Sequence, residues 1–155
     1  MLEDGSVYEG TARGDFKETA CEIVFNTSMT GYVEILTDPS YAGQGVVMTY
    51  PMIGNYGISR EDFESERLQP SAFIVHELSS DPSNFRCTDT IENLLKEYNI
   101  PCISGVDTRA VVKKLRESGT MRGVLTSDIG DRERLMDLIK SFRQIDLVGI
   151  VTAKQ

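Results

Sequence analysis

From Ala72 to Phe142, stretches with the period of a strand alternate with stretches with the period of a helix, and no other feature of this sequence constrains the fold as much. Ala72 to Leu78 reads as a strand. Ile91, Leu94, Leu95 and Tyr98 then fall on one helical face, behind Asp89 as N-cap with Glu92 three residues on. That helix has to end by Asn99, because Pro101 disfavours the α region in the residue before it. Cys102-Ile103 is a short apolar run. Asp107 caps the next helix, with Val111, Val112 and Leu115 on one face and Gly119 suited to the left-handed position past its end. Met121 to Thr126 reads as a strand, and Leu135, Leu138, Ile139 and Phe142 form a third stripe behind Asp131. This order, with short connections, predicts parallel pairing through right-handed crossovers.

The first half reads differently. Asp4-Gly5-Ser6 is a hairpin signal, Val7-Tyr8-Glu9-Gly10 follows it, and a second polar stretch surrounds Gly14-Asp15. Cys21 to Phe25 and Val46 to Tyr50 carry the β-branched and aromatic residues of strands. Gly31 to Leu36 fits one helical turn, stopped by Asp38-Pro39. Gly43-Gln44-Gly45 precedes a strand and so reads as a turn requiring positive φ, not as a phosphate loop opening a helix. The expectation is one α/β domain, with a β-rich N-terminal layer and a β-α-β-α-β C-terminal layer. A last strand is expected at Leu147 to Val151, within an end at 146–155 that has the look of a linker.

The chain has 155 residues, the length of one domain able to bury roughly two thirds of its unfolded surface. With 40% apolar and 26% charged residues and a net charge of −8, it has the composition of a globular protein. The charge argues against a nucleic-acid partner, which requires clustered cations; here bases alternate with acids, as in Arg132-Glu133-Arg134. No apolar run approaches the roughly 18 residues of a membrane span, and the start lacks a basic segment followed by an apolar one. Three cysteines, at 21, 87 and 102, are odd in number and widely spaced, which fits reduced cytosolic thiols better than a disulfide framework or a zinc motif.

Residues for catalysis are few. His76, the only histidine, sits inside a predicted strand opposite Val75 and has no sequence partner of the kind a triad or metal site requires. Cys21 and Cys102 fall on strands, where cysteine is usually a small buried hydrophobe. Cys87 precedes a helix N-terminus, which lowers a thiol pKa, but a nucleophile also needs a base. The run FNTSMTGYVEILTDPSY at 25–41, continued by TYPMIGNYG at 49–57, stands out. Its amides, hydroxyls and turn residues fit either a rigid loop framework or a polar surface for a ligand or partner.

Those two runs, with Gly43-Gln44, Ser83-Asn84-Phe85-Arg86, Gly105-Val106-Asp107-Thr108-Arg109 and LRESG at 115–119, resemble the N-terminal domain of the small (glutamine amidotransferase) subunit of glutamine-hydrolysing carbamoyl phosphate synthetase. The resemblance runs from Leu2 to about Ser127 and implies a swivelling β/β/α fold over residues 1–145, with 146–155 starting the linker to an absent class I glutaminase domain. It implies a cytoplasmic enzyme in which the small subunit hydrolyses glutamine. Ammonia then passes to a large subunit that uses ATP, a divalent metal and bicarbonate to make carbamoyl phosphate for pyrimidine and arginine biosynthesis. No cofactor is expected in this domain. Its implied partners are the large subunit, its own glutaminase domain and glutamine.

In the family the nucleophile lies in the second domain, on a turn with glycines two residues before and after it. Cys21 has Thr19 and Ile23 there, Cys87 has Phe85 and Asp89, and Cys102 has Ile100 and Ser104, so none fits and the domain alone is expected to be inactive. The serine of the DPSY segment, Ser40 here, is implied to reach glutamine across the domain boundary. Thr30 to Tyr32 and Ile53 to Gly57 are candidates for docking contacts, and Asp107-Thr108-Arg109 reads as a cap with an adjacent ion pair. Val33, Ser71-Ala72 and Ala110-Val111 depart from the family's pattern. Two alternatives remain at this stage: a small hydrolase using Cys87 or Cys102 with His76, and a stand-alone binding module for a polar metabolite.

Overall fold

The computed structural model describes residues 1–14, 16–28, 31–50, 52–53, 61, 63–78 and 90–142. The expectations for Asp15, Thr30, Gly54 to Gly57, Ser83 to Arg86, Cys87, Asp89 and Leu147 to Val151 lie outside the described residues.

Six strands form one sheet: β1 (Thr11–Arg13), β2 (Thr19–Asn26), β3 (Gln44–Met48), β5 (Ala72–Ile74), β7 (Cys102–Ser104) and β8 (Met121–Leu125). Their spatial order is β1-β7-β5-β3-β2-β8, and β4 (Met52–Ile53) pairs with β6 (Glu77–Leu78) in a separate two-stranded sheet. The helices are α1 (Tyr32–Thr37), α2 (Ile91–Glu97), α3 (Thr108–Ser118) and α4 (Arg132–Ser141), with a 3₁₀ turn at Pro39–Tyr41.

The two halves of the chain therefore do not divide into separate layers. β3 and β5 lie side by side in parallel, and β7 joins β5, so strands from both halves share one sheet. The prediction of parallel crossovers holds for β5-α2-β7 and fails for β7-α3-β8, because β8 crosses to the far edge and pairs antiparallel with β2. The segment Ala72 to Leu78 is also two strands, interrupted at Val75-His76.

Alternation along the strands defines two apolar faces. Val46, Met48, Phe73 and Cys102 point to one, where α1 and α2 cover them with Tyr32, Leu36, Leu94 and Leu95. Farther along this face Val124 of β8 meets Leu135 and Ile139 of α4. Cys21, Ile23, Val47, Ala72 and Ile74 point to the other face, under Val111, Val112 and Leu115 of α3. Gly45 is needed there for space: a Cβ would stand 2.7 Å from the Cys21 sulfur and 2.9 Å from Ile23 Cδ1. The expected positive φ belongs to Gly43 (76°), one residue ahead of β3.

The helix ends follow local chemistry. Asp107 and Asp131 cap α3 and α4, accepting from the N–H groups of Ala110 (3.2 Å) and Arg134 (3.0 Å). For α2 the N-cap is Thr90, whose hydroxyl accepts from Asn93 N–H at 3.2 Å; this corrects the assignment to Asp89 by one residue. The same helix closes with Ile100 N–H on the Leu95 carbonyl and Asn99 N–H on that of Lys96, with Asn99 at φ 55°. Gly119 has the expected positive φ, but its ψ of −153° makes it extended instead of left-handed helical, a region essentially reserved for glycine.

Candidate functional site

The motif-rich turns meet at the C-terminal ends of β2 and β3. Asn26, the last residue of β2, donates from its amide nitrogen to the Tyr41 hydroxyl at 2.9 Å. Its backbone carbonyl accepts from Thr49 twice, from N–H at 3.1 Å and from the hydroxyl at 3.2 Å. One asparagine thus ties the FNTS, DPSY and TYP segments together. Behind it, fully buried Thr37 donates to the Val33 carbonyl and accepts from Glu64 N–H, both at 2.8 Å. Ser65 donates to the Thr37 carbonyl and accepts from the Gln69 amide. The turn residues are mostly joints, bonding backbone groups or one another across the turns.

Ser40 differs from them. Asp38-Pro39 stops α1, and the Asp38 carboxylate accepts from Ser40 N–H at 2.9 Å, which fixes the 3₁₀ turn. The Ser40 hydroxyl is exposed and has no hydrogen-bond partner among the described residues. It can both donate and accept toward a ligand.

The two described thiols are poor nucleophiles. Cys21 and Cys102 are fully buried, and burial pushes each thiol up to about 12. His76 is exposed, with Nδ1 3.1 Å from the Val106 carbonyl. Burial on this scale removes the thiolate that a Cys102–His76 hydrolase requires. Among the described residues no group of three His, Cys, Asp or Glu side chains is placed to hold a metal ion.

Two docking candidates are core residues instead. Tyr32 and Ile53 are each only 1% exposed and pack in the cluster under α1. Val33, a departure from the family pattern, is buried in the same cluster. Asp107 is a cap as predicted, but Arg109 is exposed and makes no ion pair among the described residues. The joint formed by Asn26 was not singled out as a residue; the density of amides and hydroxyls was its only signal.

The described residues thus bring together two buried thiols, one exposed histidine and a tightly built cluster of polar turns. The family profile described as "Carbamoyl-phosphate synthase small chain, CPSase domain" matches residues 1–125, and the chain belongs to that family. Relatives named carbamoyl phosphate synthase small chain include one from Clostridium perfringens, 48% identical over 155 residues, which covers 100% of this chain and 44% of the relative. Another, from Caldanaerobacter subterraneus, is 55% identical over 154 residues, covering 96% and 43%. A third, from Archaeoglobus fulgidus, is 49% identical over 159 residues, covering 99% and 44%. The chain thus spans less than half the length of the relatives it matches. No helix among the described residues is long and apolar enough to cross a membrane.

Proposed function

We propose that this chain is the non-catalytic N-terminal domain of a carbamoyl phosphate synthetase small subunit, docking on the large synthetase subunit and on a C-terminal glutaminase domain. The observation that carries this reading is the family match over residues 1–125 by a chain that corresponds to only 44% of a relative. In the complete cytoplasmic enzyme, glutamine supplies ammonia to a large subunit that binds ATP and a divalent metal. That subunit makes carbamoyl phosphate from bicarbonate, for pyrimidine and arginine biosynthesis. Residues 1–145 form the domain, of the swivelling β/β/α type, and 146–155 begin the link to the glutaminase.

Within this reading the Ser40 hydroxyl hydrogen-bonds glutamine across the domain boundary. Its free hydroxyl on a turn anchored by Asp38 and Tyr41 supports the role, because the turn is held without it. The purified domain should release no ammonia from glutamine, and release above background would overturn the reading. In the complete enzyme Ser40→Ala should lower kcat/KM for glutamine by roughly three- to tenfold, the worth of one hydrogen bond, while ammonia-dependent synthesis is unchanged. Equal loss with both nitrogen sources would instead identify a folding or docking defect.

A further inference from the structure

Beside the C-terminal ends of β2 and β3, on the face that carries α3, lies a groove of about 430 Å³. Thr27 and Thr49 form one side and α3 the other, through Arg109, Lys113 and Arg116, with Val112 and Glu117 also in its walls. The three cations stand at i, i+4 and i+7 and so share one face of the helix.

None of the three forms an ion pair among the described residues, whereas their neighbour Lys114 is bound to Asp4 at 2.8 Å. Arg116 lies 5.5 Å from the centroid of the Phe25 ring, which orients the guanidinium without neutralising it. Arg109 stands in the first turn of α3, two residues after the Asp107 cap, at the end where the helix dipole opposes a cation. Arg116, in the last turn, complements the helix dipole, and Arg109 and Lys113 gather with it in one place on a chain whose net charge is −8. The Thr27 hydroxyl, without a partner among the described residues, adds a free donor.

Carboxylates complement this set: two guanidinium groups bind them in bidentate fashion, with an ammonium and a hydroxyl beside them. Their source is set by the topology. α4, the last described helix, packs on the opposite face of the sheet against Val124 and does not cover the groove, which is open to a protein in trans. We propose that the groove receives an acidic segment of the large synthetase chain, a docking contact on α3 distinct from the loops at 30–32 and 53–57. The proposal rests on the functional reading above.

The test measures binding of the complete small chain to the large chain by calorimetry at low and high salt. Lys113→Glu with Arg116→Glu should weaken binding by about tenfold or more at low salt and flatten its salt dependence. Lys140→Glu, on α4, should leave affinity unchanged. Lys113→Gln, which removes one charge without inserting another, serves if circular dichroism shows that the double variant misfolds. Wild-type affinity in the groove variants, or an equal loss in Lys140→Glu, overturns the proposal. Failure of the wild-type chains to associate at all overturns the functional reading instead.

Discussion

The turn cluster around Asn26 and Thr37 and the helical half from Ile91 to Ser141 are held together by different forces. In the helical half, Ile91, Leu94, Leu95, Leu115, Leu135 and Ile139 are at most 1% exposed, and polar side chains act mainly as caps at the helix starts. In the turn cluster, stability runs through side-chain hydrogen bonds: Asn26 to Tyr41, Thr49 to Asn26, and Thr37 to both Val33 and Glu64. The difference has a consequence for function. A region built by burial leaves few polar groups to spare, whereas a region built from amides and hydroxyls can keep one, the Ser40 hydroxyl, without a partner among the described residues.

That contrast predicts unequal costs. Leu94→Ala, at a fully buried position of α2, should destabilise by about 3 kcal/mol, through lost transfer energy and the cavity left behind. Chemical denaturation checks it. Thr37→Val keeps the shape but strips Glu64 N–H of its acceptor, and should cost about 1–2 kcal/mol by the same assay. A cost equal to that of Leu94→Ala would erase the distinction between the two regions. A cost near zero would mean that water replaces the hydroxyl.

The smallest expected effect is electrostatic. The Glu18 carboxyl is lowered to about 2, first by hydrogen bonds from Arg134 and Thr126. For Asp4, burial acts upward, but the hydrogen bonds from Lys114 and Ser6 outweigh it and bring the group to about 2. Both folded-state values lie below the ordinary 4.5 and 3.8, so the stabilisation is complete above about pH 4.5 and is lost as pH falls toward 2. These pairs are solvent-exposed, and screening keeps the effect small. Arg134→Ala should flatten the Glu18 part of this acid dependence in denaturation measured between pH 5 and 2.

Much of the helical half was legible because apolar period and caps are local signals. Asp107 and Asp131 occupy the cap positions read from the sequence, and the stripes on α2, α3 and α4 face the sheet. The single-residue shift from Asp89 to Thr90 is a choice between two adjacent side chains able to accept the same hydrogen bond, which spacing cannot decide. Strand pairing was not legible. Whether β8 follows β7 in parallel or crosses to β2 is decided by contacts distant in sequence, such as Cys21 opposite Gly123.

Ser40 entered through a family pattern of residues, and the sequence could not reveal that its hydroxyl has no partner among the described residues. Tyr32 and Ile53 show the reverse case, since residues inside a recognisable motif turned out to be core. By itself the sequence determined the family, the apolar stripes and caps of α3 and α4 and the lack of a glycine-flanked nucleophile, because each is written in neighbouring residues. Only the tertiary structure decided that both halves share one sheet, that the two described thiols are sealed in it, and that Arg109, Lys113 and Arg116 line one groove with no ion pair among the described residues. Burial and ion pairing depend on which distant segments come within a few ångströms, and that is fixed by packing rather than by spacing along the chain.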